Sequence, residues 1–256
     1  MGAGLHNIRI VLVEPAGPLN VGSVARVMKN MGLRHLVLVN PHCDPLSAEA
    51  RQMAVHAADV LEAAQQVATL PLALEGCFRA IATTARPRNV APTVPLEQPR
   101  QALPWLLDLP SALIFGPEDR GLSNAELNYA QRFVSIPSSA EYASLNLAQA
   151  VAVCCYELYQ SVQAPSVAPL RSPVVQEDLD LAPMDAIDQY VAHLEKVLLN
   201  IGYLHPHTVA SRMQKFRQMT LRSQLSRPEL AMLRGILRQV EWAAHQKTAP
   251  ELGKTD

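Results

Sequence analysis

The first part of the chain alternates between short, mostly apolar runs and longer amphipathic stretches. Residues 8–13 (IRIVLV) form a β-branched run that ends in the turn material Pro15-Ala16-Gly17-Pro18. A helix is predicted over residues 21–31 with Asn20 as its N-cap. On it Val21, Val24, Ala25 and Met28 recur at i, i+3, i+4 and i+7, the spacing of one buried stripe. Gly32 ends this helix, and LVLV at 36–39 gives a second strand closed by Asn40-Pro41. The runs at 80–84, 112–115 (ALIF) and 133–136 (FVSI) predict further buried strands. A last helix is predicted over 145–163, with Leu147, Val151, Cys154, Leu158 and Val162 on one face. Such apolar strands alternating with helices predict an α/β fold, a mostly parallel sheet with helices on both faces.

Downstream the pattern changes. Residues 164–183 contain Pro165, Pro169, Pro173 and Pro183 with few apolar anchors, which predicts a linker. Beyond it the periodicity is purely helical, over 187–201, 208–221 and 228–244. The last stretch carries Leu230, Leu233, Ile236, Leu237 and Val240 at amphipathic spacing, with Pro228 suited to a first turn. The predicted organisation is an α/β domain at 1–163, a proline-rich linker at 164–183 and a small all-helical module at 184–256.

Composition narrows the class. Of the 256 residues 49% are hydrophobic and 18% charged, which suits a packed core and excludes a disordered chain. The four cysteines lack CxxC spacing, no basic-then-apolar leader opens the chain, and no apolar run approaches the ~18 residues of a membrane span. These features predict a cytoplasmic protein with free thiols and no membrane partner. His205 and His207 flank Pro206 with no second ligand pair nearby, so no metal site is expected. No GxGxxG follows the first strand, and neither GxxxxGK[ST] nor GxSxG occurs, so dinucleotide, P-loop and serine-hydrolase signals are missing. The formal net charge of -1 hides a sorted tail. Six acids and no base lie between Glu177 and Glu195, whereas seven bases (Arg212, Lys215, Arg217, Arg222, Arg227, Arg234, Arg238) face only Glu229 between 212 and 238. That block is either a solvated helix face, answering the acids within a bundle, or a face for a polyanion.

The polar residues that folding leaves unexplained fall in four clusters, each after a predicted strand. They are NVGSVAR at 20–26, TTAR at 83–86, FGPEDRGLSN at 115–124, and the loop from Ile136-Pro137 through EYASLN at 141–146. Arg26 sits about 200° around its helix from both Val24 and Met28, off the buried stripe, where it is a plain surface residue or a ligand contact. Four polar loops at the carboxyl ends of parallel strands predict a ligand site there, because open α/β sheets bind at that edge.

Three of these clusters, NVGSVAR (20–26), FGPEDRGL (115–122) and IPSSAEYASLNLAQAV (136–151), resemble in order the three motifs of the SPOUT superfamily of RNA methyltransferases. The similarity is greatest to the TrmJ-type tRNA ribose 2'-O-methyltransferases. TTARPR (83–88) resembles that group's cofactor loop, and HLEKVLLNIGYL (193–204) with LRGIL (233–237) its helical C-terminal extension. The resemblance implies a trefoil knot, a homodimer, S-adenosylmethionine as cofactor and tRNA as substrate, at nucleotide 32 of the anticodon loop. Ribosomal RNA as the substrate, or an RNA-binding module without turnover, stays as the alternative. Carried over by position, Thr83, Thr84, Ala85, Gly116, Ile136, Ala143, Ser144 and Leu145 would contact the cofactor, while Asn20, Arg26, Glu118, Ser144 and Asn146 would serve the reaction. Thr84 and Ala143 stand where the group is expected to carry serine. A guanidinium is a poor base because it holds its proton in proteins, so orienting the ribose-phosphate suits Arg26 better, with Glu118 as its partner. In the tail, Arg212, Lys215 and Arg217 are the expected RNA contacts.

Overall fold

The computed structural model describes residues 4–85, 95–139, 141–163 and 180–248. Contacts divide the chain into two compact units, residues 1–175 and 176–256. Most of the predicted linker, residues 164–179, lies outside the described residues, as does the RPR part (86–88) of the loop at 83–88.

The first unit is built on seven strands: β1 (Ile8–Val13), β2 (His35–Val39), β3 (Gln65–Val67), β4 (Arg79–Thr83), β5 (Leu96–Glu97), β6 (Ser111–Phe115) and β7 (Arg132–Val134). Every described pairing is parallel, in the order β3-β2-β1-β6-β4-β7-β5. The sheet is thus more uniform than the predicted mostly parallel one. β6 lies between β1 and β4, so the four strands followed by polar loops are neighbours. Ile8, Ile10 and Leu12 of β1 join one apolar cluster, and Val11 and Val13, pointing to the opposite side, are buried as well. Both faces are therefore covered, which is why these strands read as mostly apolar runs.

The helices are α1 (Pro18–Asn30), α2 (Ala48–Ala54), α3 (Ala58–Glu62), α4 (Leu70–Ala73), α5 (Pro99–Ala102), α6 (Asn124–Leu127) and α7 (Leu147–Gln163). α1 begins earlier than its apolar stripe suggests. Gly17 is the N-cap and Pro18 occupies the first turn, where its fixed φ fits and its missing N–H is no loss. Asn20 is therefore inside the helix rather than its cap, and its side chain is free for other bonds. Val21, Val24, Ala25 and Met28 are fully buried, as the spacing predicts. α7 starts at Leu147, and Val162, expected on its buried face, is 38% exposed in its last turn. Cys154 and Cys155 are buried on α7, and burial pushes both thiols up, that of Cys155 to about 12.

The second unit contains α8 (Met184–Asn200), α9 (Val209–Arg222) and α10 (Arg227–Thr248). Ile187, Val191, Leu194, Met213, Leu221, Leu230 and Leu237 are buried, whereas Ile236, predicted for the same face, is 54% exposed. Residues 180–183, assigned to the linker from sequence, belong to this unit. Leu181 bridges Ser226, and the Ala182 and Arg227 amides donate to Leu225 and Asp180.

Gly22 carries the packing of α1 on α2. A Cβ placed there would lie 2.2 Å from the Ala50 carbonyl oxygen and 2.9 Å from the Met53 Cβ. The backbone carbonyl cannot retreat without moving α2. Gly22→Ala should therefore lower stability by about 1–3 kcal/mol, the usual cost of overpacking. Urea unfolding of the full chain checks this; an unchanged midpoint contradicts it.

Candidate active site

The ends of β4, β6 and β7 surround a cavity of about 240 Å³. Thr83, Thr84 and Ala85 follow β4, residues 116–122 follow β6, and Ile136 with Ala143, Ser144 and Leu145 follows β7. All eight residues expected at the cofactor therefore line one space. Apolar walls come from Leu122, Val134, Ile136, Leu145 and Leu147, and Glu118 and Asp119 bring carboxylates to the same lining. The Thr83 hydroxyl donates to the Ile114 carbonyl at 3.1 Å, so it braces β4 against β6. The loop after β7 is pinned by Ser138, whose hydroxyl donates to the Ala143 carbonyl at 3.0 Å.

Gly116 permits this shape. A Cβ there would sit 2.3 Å from the Leu122 amide nitrogen and 2.4 Å from the Gly121 carbonyl carbon. The loop after β6 folds back on its own first residue, and any side chain at 116 would force it open.

Three of the expected reaction residues meet at the cavity's edge. The Asn146 side-chain amide donates to Asn20 Oδ1 at 3.0 Å, and Asn20 Nδ2 donates to Glu118 Oε1 at 2.8 Å. Glu118 also accepts from the Ala16 and Gly17 amides at 3.2 and 3.4 Å, which places its charge at the positive end of α1. Asn146 Oδ1 accepts from the Ala148 and Gln149 amides, so this residue caps α7. Since an ionised carboxylate only accepts, Glu118 fixes which way the Asn20 amide points, and Asn20 in turn orients Asn146. The bridge joins α1, the β6 loop and α7.

Arg26 is outside this bridge. It lies six residues along α1 from Asn20, about 9 Å at the helical rise, and is exposed. Among the described residues it has no hydrogen bond or ion pair. The expected Glu118–Arg26 pairing is thus corrected: Glu118 is held by Asn20 and the α1 amides. Ser144 lines the cavity and is exposed.

Sequence reasoning missed the clamp in the cavity's wall. Arg120 donates to Glu14 Oε2 at 2.7 Å and to both Glu126 carboxylate oxygens at 2.9 and 3.0 Å. Glu126 completes a capping box with Ser123 at the start of α6. The β6 loop is thereby tied to the end of β1 and to α6. The acid-base loop bracketed by two glycines was the available signal; Glu14, 106 residues away, gave none. The Arg120 hydrogen bond holds the Glu14 carboxyl below its ordinary range. Burial pushes Glu126 up, but its bonds to Arg120 and Ser123 prevail and lower it.

In the tail the structure separates the three expected RNA contacts. Arg217 pairs with Asp188, and both side chains are mostly covered. It braces α9 against α8, which removes it from the exposed face. Burial outweighs this pairing at Asp188, whose carboxyl is raised. Arg227 pairs with Asp180 at 3.0 Å, and Arg234 donates to the Ala186 carbonyl. Part of the basic block thus answers the acids of its own bundle. Arg212 and Lys215 remain exposed. Among the described residues no group of three His, Cys, Asp or Glu could hold a metal, and no helix is long and apolar enough to cross a membrane.

The clamp gives a pH prediction. Both carboxyls have folded values below their unfolded ones, so their contribution is complete above the ordinary carboxylate range and is lost as pH falls through the folded values. Amide exchange over residues 116–123, corrected for intrinsic rate, should stay flat from about pH 6 to 8 and rise below about pH 4. Arg120→Met should raise it already at neutral pH; loop protection equal to wild type in that variant contradicts the clamp.

Comparison with known proteins places this geometry. Residues 7–156 match the SpoU rRNA Methylase family, and residues 185–249 match the C-terminal domain of tRNA methyltransferase TrmJ. The tRNA (cytidine/uridine/adenosine-2'-O-)-methyltransferase TrmJ of Pseudomonas aeruginosa is 39% identical over 94% of this chain and 96% of its own. The crystal structure of TrmJ from Z. mobilis ZM4 superposes with a TM-score of 0.79 at 30% identity, covering 91% of this chain and 98% of that one. A structure described as giving insight into 2-OH methylation of C/U34 on tRNA covers 63% of this chain and all of its own, with a TM-score of 0.52 at 28% identity. The chain belongs to the SpoU methylase family, in its TrmJ branch.

Proposed function

We propose that this protein transfers the methyl group of S-adenosylmethionine to a ribose 2'-hydroxyl of tRNA, at nucleotide 32 of the anticodon loop, on cytidine or uridine. The observation that carries the reading is the convergence of Thr83–Ala85, Gly116, Ile136 and Ala143–Leu145 on one cavity, beside the Asn146–Asn20–Glu118 bridge. The names of its relatives supply the substrate class. A protein studied for 2-OH methylation of C/U34 on tRNA shares the fold, which makes that position the competing target. Ribosomal RNA remains the other alternative, from the description of the family matched by residues 7–156.

The lining fits S-adenosylmethionine in chemistry. Ile136, Leu145, Val134 and Leu147 offer an apolar slot for an adenine, the folded-back chain at Gly116 exposes backbone polar groups, and Glu118 and Asp119 offer anions to a cationic ligand. The cofactor would supply a methyl group activated on a sulfonium; its transfer leaves S-adenosylhomocysteine and releases the 2'-hydroxyl proton to solvent. The protein's own task is to bring the 2'-oxygen into line, and such alignment can be worth about 7–11 kcal/mol. Asn20 and Asn146, locked by Glu118, present oriented amides at the cavity's edge. Arg26 holds the ribose-phosphate and stabilises the negative charge that grows on the 2'-oxygen, with a planar fork that lysine lacks.

The active assembly is a homodimer, and its chain is knotted where residues 116–122 and 143–147 close the cavity. On α1, Leu19, Ser23 and Arg26 share one stripe by their i, i+4 and i+7 spacing. Leu19 on this helix is 52% exposed, and Tyr156 and Val153 on the neighbouring α7 are 47% and 37% exposed. Large apolar groups left uncovered on the neighbouring α1 and α7 support a second copy packing there.

Incubating the protein with purified tRNA and labelled S-adenosylmethionine, then mapping the modified nucleotide, tests the reading. Label at the 2'-oxygen of nucleotide 32 is expected, and label confined to ribosomal RNA or to position 34 overturns the assignment. Arg26→Ala should lose at least about a hundredfold in turnover, the scale of one transition-state charge contact, with cofactor affinity unchanged. Activity within about twofold of wild type would remove Arg26 from the reaction. Replacing Arg212 and Lys215 with alanine should flatten the salt dependence of tRNA binding by ~0.7–0.9 log units for each phosphate no longer neutralised. An unchanged slope would leave the tail a purely structural element.

A further inference from the structure

The corner between α8 and α9 concentrates groups that the tail's fold does not need. Aromatic residues are only 5% of the chain, yet Tyr203 and Phe216 lie within fourteen residues of sequence together with His205 and His207. The corner is held from within. Leu204 is buried, its amide donates to the Leu198 carbonyl at 3.0 Å, and the His205 carbonyl accepts from the Thr208 and Val209 amides. Tyr203, His205 and His207, in contrast, all face solvent. Tyr203 is 53% exposed and meets Phe216 edge-on, with ring centres 6.5 Å apart. The Arg212 guanidinium lies 5.6 Å from the Tyr203 ring centre, and the two imidazoles are parallel within 5° at 5.8 Å.

The surrounding charge has one sign. From Lys196 to Pro228 the chain carries six bases and no acid. Arg217 and Arg227 are paired with Asp188 and Asp180, while Arg212, over the Tyr203 ring, and Lys215 are exposed one helical turn apart. Exposed flat rings on an anchored turn, flanked by cations, offer a stacking face and phosphate contacts at once. That combination recognises unpaired nucleotides, because every base has a π-face and every linkage a charge. A duplex, its bases already stacked, could use only the cations.

We infer that this corner is a binding site for an unpaired RNA nucleotide, whose base stacks on Tyr203 and the His205–His207 pair while its phosphates meet Arg212 and Lys215. The inference rests on the tRNA reading above and adds a contact whose character differs from the phosphate contacts already proposed for the tail. Stacking releases no counterions, so it contributes to affinity without contributing to the salt slope.

The test is a fluorescence-anisotropy titration of the full-length protein across a salt series, with tRNA, a short oligouridylate and an RNA duplex of equal length as probes. Tyr203→Ala should weaken tRNA and oligouridylate about tenfold at every salt concentration, with an unchanged slope and unchanged duplex binding. Tyr203→Phe should restore wild-type affinity. The paired substitution His205→Ser and His207→Ser should weaken oligouridylate in the same salt-independent way, which keeps the site testable should Tyr203→Ala fail to fold. Affinity for oligouridylate within about twofold of wild type in a folded variant, or an equal loss on the duplex, overturns the site. If the target RNA is misassigned, methylation mapping fails while the oligouridylate still depends on Tyr203. If only the stacking site is wrong, methylation maps as proposed and Tyr203 is silent.

Discussion

The position of β6 between β1 and β4 governs the rest of the first unit. With all pairings parallel, the insertion brings the carboxyl ends of four strands side by side. Every loop that leaves those ends must share one edge, and a sheet apolar on both faces leaves that edge as the place for polar chemistry. The loop after β6 is the one most constrained by it. It turns back so tightly on Gly116 that a methyl group would collide with backbone, and it is held there by Arg120 reaching to β1 and α6. Cavity, clamp and polar bridge all follow from where that one strand was inserted.

The charges in the site have separate duties. Arg120 is fully engaged by Glu14 and Glu126 and so acts as a brace, whereas Arg26 has no partner among the described residues and is available to a ligand. Glu118, which could have quenched Arg26, is held instead by Asn20 and the first amides of α1. The same sorting recurs in the tail. Arg217 is drawn inward to Asp188, and Arg212 and Lys215 are left outside. For Arg120 and Arg217 it is a carboxylate within reach that makes the arginine structural rather than surface.

Much of the first unit was legible because its strands are buried on both sides and punctuated by Gly, Pro and Asn. β1, β2, β4, β6, β7 and the stripe of α1 come directly from periodicity. The short edge strands β3 and β5 did not, since QQV and LE carry no apolar run and are set by pairing with β2 and β7. The start of α1 was misplaced because an Asn before an apolar stripe reads as a cap, while Pro18 had already opened the helix. The cavity-lining residues were legible through motif resemblance and their common position after strands. Their hydrogen bonds were not, because Asn20, Glu118 and Asn146 are brought together across the whole domain. Charge density alone misassigned Arg217, since a basic run does not reveal which members face an acid on the neighbouring helix.

The central claim is that the edge formed by β4, β6 and β7 is where S-adenosylmethionine binds. Hydrogen exchange of the full-length protein with and without the cofactor measures this directly. Protection should appear over residues 83–85, 116–122 and 143–147 and leave α8 to α10 unchanged. Saturating cofactor that leaves those three segments unprotected, or protects the tail instead, would contradict the account.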